Sequence, residues 1–207
     1  MRPSRPHAPP RRLVIATGNP GKLREFQALL EGLPFAPVSQ ASVGVRPPEE
    51  TGTTLLSNAL LKARHAAAAT GEPAIADDSG LEVDALGGAP GVYSARYAGT
   101  AADDAANNAK LLRALAGIAP ARRRARYRCV LVYVDGPEDA LPLCADGAWE
   151  GYIVDEPRGG GGFGYDPHFW LPELQMTAAE LDPDEKNRSS HRGRAMRDLR
   201  AQLEART

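Results

Sequence analysis

Cysteine is scarce in this chain, which holds only Cys129 and Cys144 among 207 residues. So small a number excludes a disulfide framework and a cysteine-built metal site. Cys129 in an alternating apolar run and Cys144 after Leu143 both read as reduced core residues. Net charge is also small, at −1, and the broad basic field of a nucleic-acid binder is missing. No apolar run approaches the roughly 20 residues that span a bilayer. No apolar signal core follows the basic N-terminus, so the expected compartment is cytoplasmic, with no membrane or nucleic-acid partner. Internal repeats are absent, and so is the G-x-x-x-x-G-K-[ST] spacing of a Walker loop.

What is present supports one substantial core. Apolar residues make up 43% of the chain, enough for one domain or two lobes sharing a cleft. Residues 1–12, MRPSRPHAPPRR, carry no apolar period and read as a disordered basic tail; residues 13–207 read as a single domain. Leu13 to Ala16 predicts a buried strand that breaks at Thr17-Gly18-Asn19-Pro20-Gly21-Lys22. Asn19 can cap the helix that follows, with Pro20 in its first position. A second helix is predicted over 54–69, with Leu55, Ala59, Ala63 and Ala66 or Ala67 inward. Further helices are expected over 103–116, from Asp182-Pro183, and after Ser190, the last carrying Ala195, Met196, Leu199 and Leu203. Strands are expected at 73–77, 81–85, 127–134, 141–145 and 149–154, and a glycine-rich loop at 87–99. Thr177 and Glu180 match a capping box. Strands and helices mix without strict alternation, which predicts an α/β fold with a mixed central sheet flanked by helices.

Three constellations could carry chemistry. At Thr17 to Lys22 a strand runs into a glycine turn and a helix start, where free N–H groups and the helix dipole favour an anion. Lys22 is poorly placed there on dipole grounds; a bound phosphate resolves the conflict, and an ordinary surface lysine is the rival. Asp77 and Asp78 with Glu49 and Glu50 gather carboxylates that suit Mg²⁺, although Asp-Asp-Ser-Gly is also good turn chemistry. Adjacent strand residues point opposite ways, so one of Asp77 and Asp78 faces a cleft and the other does not. Lys186, His191 and Arg192 surround another helix start. Between these lies Phe163-Gly164-Tyr165-Asp166-Pro167 after Gly159 to Gly162, where a flat, polar-edged ring could be stacked and read. The basic run Arg122 to Arg124 with Arg126 reads as a solvated strand entry.

Taken together, Thr17-Gly18-Asn19 with Lys22 and Glu25, Glu49-Glu50-Thr51-Gly52, Ala76-Asp77-Asp78-Ser79-Gly80-Leu81, Gly87 to Gly99, Gly162 to Pro167, and Lys186 with Ser190-His191-Arg192 occur in one order. That pattern resembles the inosine triphosphate pyrophosphatase family, the dITP/XTP pyrophosphatases, across about residues 13–203. The resemblance implies a mixed-sheet α/β fold with a substrate cleft between two lobes, a homodimer, and Mg²⁺-dependent hydrolysis of deaminated purine nucleoside triphosphates to monophosphate and pyrophosphate. It implies that residues 17–22 cradle the triphosphate and that Asp78 is the catalytic proton acceptor and a metal ligand with Glu50. It further implies that Ser79 touches substrate, that Phe163, Gly164, Tyr165 and Asp166 form one wall of the base pocket, and that Lys186, His191 and Arg192 form the other. Ser189 and His168 stand where the family often has apolar residues. Rival readings are a pyrophosphatase for modified pyrimidine nucleotides, a nucleotide-binding regulatory module, and a nucleic-acid binder.

Overall fold

The protein is described here by a computed structural model covering residues 9–101 and 103–206. Leu13, Val14 and Ile15 are fully buried in strand β1 (Arg11–Ile15). The strand starts inside what the sequence assigned to a tail. Parallel pairing with β2 (Phe35–Ser39) carries the register back to Arg11↔Phe35, and the Arg11 guanidinium lies 2.9 Å from Asp135. Residues 1–8 of the expected tail lie outside the described residues.

Helix α1 (Pro20–Leu29) begins where Asn19 Oδ1 accepts the Lys22 N–H at 3.2 Å, as the sequence predicted. Helix α2 (Leu55–Thr70) is closed by a reciprocal pair: Thr54 Oγ1 accepts the Ser57 N–H and Ser57 Oγ accepts the Thr54 N–H. Its buried stripe holds Leu55, Ala59, Ala63, Ala66 and Ala67 as expected, and also Asn58.

Strand β3 (Ala74–Val83) corrects the sequence reading most. Asp77 to Gly80 form no turn between two strands but the middle of one. Strand β4 (Arg124–Val134) pairs with every residue of it, from Ala74↔Val134 to Val83↔Ala125, and that continuous ladder outweighs the local turn preference. Gly80 is needed here for close approach, because a Cβ would sit 2.2 Å from the Gly91 carbonyl oxygen. The 87–99 segment contains a short 3-10 turn, Gly91–Arg96, after another at Asp84–Leu86.

Helix α3 (Asp104–Ala114) is capped by Asp103. Strand β5 (Leu143–Ile153) is also continuous where two strands were expected, since β4 pairs along its length. Cys144 falls on its outward face and is exposed, so only Cys129 is a core thiol. Two short strands, β6 (Phe169–Leu171) and β7 (Met176–Thr177), complete the sheet. The Thr177–Glu180 pairing forms, but it closes a turn and starts no helix. Helices α4 (Pro183–Ser189) and α5 (His191–Arg206) end the chain.

The sheet order is β2-β1-β3-β4-β5-β6-β7, parallel through β2-β1-β3 and antiparallel beyond. Side chains alternate across it. Leu13, Ile15, Ile75 and Leu131 pack on α1 and α5. Val14, Ala76, Val130 and Val132 pack on α2. A third cluster, with Leu81, Leu111, Tyr127, Trp149 and Phe169, fills the far end. Strand β1 pairs with β3 only at Val14↔Ala74 and Ile15↔Ile75. It then leaves through the Thr17–Asn19 turn, and the rest of β3 runs on without that neighbour. Such a vacated edge is where open α/β sheets place their ligands.

Candidate active site

Asp77 and Asp78 lie just past the point where β1 leaves, and they point to opposite faces as strand geometry demands. Asp77 Oδ2 lies 2.7 Å from Lys22 Nζ and 3.3 Å from Arg192 Nη2. Burial alone would raise its pKa. Lys22, then Arg192 and Lys62, outweigh burial and hold Asp77 well below the ordinary carboxylate range, so it is a locked anion.

Asp78 faces the α2 layer. Its Oδ1 lies 3.0 Å from Lys62 Nζ, and its Oδ2 accepts from Asn58 Nδ2 at 3.2 Å. Here burial wins: the pKa of Asp78 is raised, and Lys62 offsets only part of the shift. Glu50 meets the same ammonium at 2.8 Å and Arg96 at 3.1 Å. Burial opposes its ionisation, but Lys62 and Arg96 hold its pKa below the ordinary value. Lys62 is itself kept charged against burial by Asp78, Asp77 and Glu50. Asn58 Oδ1 also accepts the Gly52 N–H at 2.8 Å, which straps the 49–52 segment to α2.

Sequence reasoning passed over Lys62 and Asn58 as site residues. The signal was Asn58 itself, an amide in an otherwise alanine-rich buried stripe, with Lys62 one turn further along the same face.

The other end of the site is built on the glycine run. Gly162 has φ +72°, and a Cβ there would lie 2.1 Å from Asp166 Oδ2, so only glycine fits. Buried Asp166 accepts the Phe163 N–H at 2.8 Å and pairs with Lys186 Nζ. The Phe163 ring is 51% exposed, an open aromatic face. Lys186 Nζ stands 4.9 Å and Arg192 Cζ 5.9 Å from its centroid. Arg192 is buried and also meets Ser79 Oγ at 3.3 Å and Glu25 at 3.4 Å. His191 stacks on Tyr127 with centroids 4.8 Å apart and planes 11° apart. Burial, then Arg192 and Lys186, push its pKa well below the usual histidine value, so the imidazole is neutral. Its Nδ1 has no hydrogen-bond partner among the described residues.

These parts line one cavity of about 300 Å³. Of the residues predicted from sequence, Asn19, Lys22, Glu50, Asp78, Ser79, Phe163, Gly164, Tyr165, Asp166, Lys186, His191 and Arg192 all line it. Tyr165 does so with its hydroxyl committed to Ser94 O at 2.7 Å. Thr17 and Gly18 are not among the lining residues; Thr17 Oγ1 accepts the Asn19 N–H at 3.2 Å and shapes the turn. Pro20 and Gly21 begin α1. Lys22, expected to await a phosphate, pairs with Asp77. Asp77 is absent from the lining, as expected of one of the two acids. The two residues that depart from the family pattern are satisfied locally, His168 Nδ1 at 2.9 Å from Val154 O and Ser189 by Glu185 O.

No cluster of three or more Asp, Glu, His or Cys side chains suited to a metal ion occurs among the described residues. Glu50 and Asp78 nevertheless converge on a single point, the Lys62 ammonium, at the cavity wall. Two carboxylates with lone pairs to spare are a donor set that fits Mg²⁺, which takes its remaining ligands from water and substrate phosphate.

The profile of the Ham1 family matches residues 13–202, and the chain belongs to that family. Among its relatives, the dITP/XTP pyrophosphatase of Thioalkalivibrio sulfidiphilus is 55% identical over 195 residues, 94% of this chain and 100% of that protein. The dITP/XTP pyrophosphatase of Methylococcus capsulatus is 55% identical over 197 residues, 95% and 98% of the two chains. Among solved structures, a HAM1 protein from Coxiella burnetii superimposes with a TM-score of 0.90 at 49% identity, covering 94% of this chain and 99% of that one. A nucleoside-triphosphatase / dITP/XTP pyrophosphatase from Mycobacterium abscessus gives a TM-score of 0.73 at 43% identity, covering 91% and 97%.

Proposed function

We propose that this protein is a nucleoside triphosphate pyrophosphatase. It hydrolyses the deaminated purine nucleotides dITP, ITP and XTP to monophosphate and pyrophosphate, and so removes them from the nucleotide pool before they enter DNA or RNA. One observation carries the reading: a single cavity joins the Asp78–Lys62–Glu50 cluster to an aromatic slot edged by Lys186, His191 and Arg192. The names of the relatives point the same way.

The charges in the cavity bear on the cofactor. Lys22, Lys62, Arg96, Lys186 and Arg192 are matched one for one by Glu25, Glu50, Asp78, Asp104 and Asp166. A triphosphate therefore needs counter-charge that the side chains do not supply. Glu50 and Asp78 would hold Mg²⁺ beside it. Bound there, the ion would neutralise phosphate charge and lower the pKa of a coordinated water. Asp78, with its raised pKa, is the group suited to take the proton of a water aligned on the α-phosphorus. Lys22 exchanges Asp77 for a phosphate oxygen, and the positive end of the α1 dipole adds to the anion site.

At the other end, a purine stacks on Phe163, worth roughly 1–3 kcal/mol by analogy with base–aromatic contacts. Lys186 and Arg192 are already engaged by Asp166 and Asp77. Neutral His191, with a buried nitrogen that has no partner among the described residues, is therefore the donor with most to gain from a 6-oxo group. Adenine, with an amino group at that position, would leave a buried donor unpaired, at about 1–3 kcal/mol. The family resemblance adds a homodimer and a cytoplasmic setting to the proposal. The described residues contain no helix long and apolar enough to cross a membrane.

The test is a turnover panel with Mg²⁺ over ITP, dITP, XTP, ATP, GTP, dUTP and dTTP, reading pyrophosphate against orthophosphate. Pyrophosphate release selective for the first three is expected. Orthophosphate as product, or preference for a pyrimidine, would overturn the proposal.

A further inference from the structure

The exposed Phe163 ring has little packing to hold it in place, yet its backbone is pinned. Gly164, at φ +64°, is gripped on both of its polar groups by the first two turns of α3. Asp104 Oδ2 accepts its N–H at 2.6 Å, and Asn108 Nδ2 donates to its carbonyl at 2.9 Å. The Asn108 amide also donates to Asp104 O at 2.9 Å. Its own Oδ1 is buried with no partner among the described residues. Turning the amide over would set that oxygen against two carbonyls, so the donor orientation is fixed. An amide that gives up its acceptor in this way serves the grip on Gly164.

On the other side, Asp166 holds the Phe163 N–H. The aromatic therefore hangs from a clamp with one jaw on α3 and the other beside Lys186. The preceding residue of α3, Asn107, ties that jaw to the opposite end of the site. Asn107 bonds Ala98 N–H and Ala95 O, flanking Arg96, which holds Glu50.

We infer that Asp104 and Asn108 are positioning residues for base recognition, setting the height of the Phe163 ring over the slot. The inference rests on the proposed nucleotide reading, but its physical core does not. Amide exchange at Gly164 in the free protein reports the clamp without any substrate. Asp104→Ala should speed that exchange by about tenfold while exchange in β3 and β4 stays unchanged. Asp104→Asn keeps an acceptor oxygen and should restore protection to within about threefold of the natural protein.

With ITP and Mg²⁺, Asp104→Ala should raise KM about five- to tenfold and leave kcat within about twofold. In a Phe163→Ala background it should raise KM no further, because the ring it positions is gone. Asn108→Ala, which leaves the α3 cap on Asp103 intact, should reproduce the KM effect if Asp104→Ala folds poorly. Three results would each overturn the inference: unprotected Gly164 in the natural protein, an equal KM rise with and without Phe163, or failure of Asp104→Asn to rescue. If the natural protein turns over no ITP, the functional reading falls alone, and the exchange measurement still decides the clamp.

Discussion

Two neighbouring aspartates do opposite work because of what each one faces. Burial raises the pKa of Asp78, and the ammonium it shares with Glu50 offsets only part of that. Asp78→Asn keeps the shape and removes the proton acceptor. Turnover of ITP should fall at least about 100-fold, measured as pyrophosphate release. Asp77 is the stabilising partner. Its folded pKa lies below its ordinary value of 3.8, so its contribution is fully present above about pH 4 and is lost as pH falls below that. Asp77→Asn leaves buried Arg192 short of its counter-charge. It should cost about 3 kcal/mol at pH 7, and the gap to the natural protein should shrink by pH 3, both read from urea midpoints. The Asp-Asp pair stood out in the sequence, and so did the rule that the two must face apart. Strand geometry alone did not say which of the two meets the cavity, because that depends on Lys22, Lys62 and Arg192 arriving from three separate helices; the family resemblance named Asp78, and Asp78 lines the cavity.

The elements were read well where periodicity is strong and poorly where long-range pairing decides. α2 and α5 follow from their apolar spacing, and α1 begins at the Asn19 cap expected from the sequence. β3 and β5 were each divided, because Asp-Ser-Gly and Asp-Gly look like turns when taken alone. Pairing with β4 overrides both. β6 and β7 are too short to give any period. The continuity of β3 depends on Gly80, whose missing side chain admits the Gly91 carbonyl. Gly80→Ala should therefore destabilise the fold by about 2 kcal/mol and lower Tm by roughly 4–8 °C in a thermal melt. Ordinary tolerance of alanine would mean that the 91–96 turn moves freely.

For the molecule as a whole, the charge balance of the cavity sets the expected metal dependence. A chelator should abolish turnover, added Mg²⁺ should restore it, and Tm without nucleotide should move little, since Lys62 already bridges the two carboxylates. A large fall in Tm on chelation would instead indicate a structural metal. The low net charge and the cavity that gathers the predicted residues agree with a small-molecule enzyme, and that much was legible from composition and motif order. The depth of the site was not. It arises because one strand outlasts its neighbour, a property of sheet register and not of any local segment.

The peptide unit joining residues 77 and 78 sends one carboxylate toward Lys22 and Arg192 and the next toward Lys62, on opposite faces of the sheet. A ligand that draws Lys62 away from Asp78 also weakens the field that Lys62 exerts on Asp77. Occupancy on the α2 side would then be sensed beside α1 and α5 with no helix having to travel.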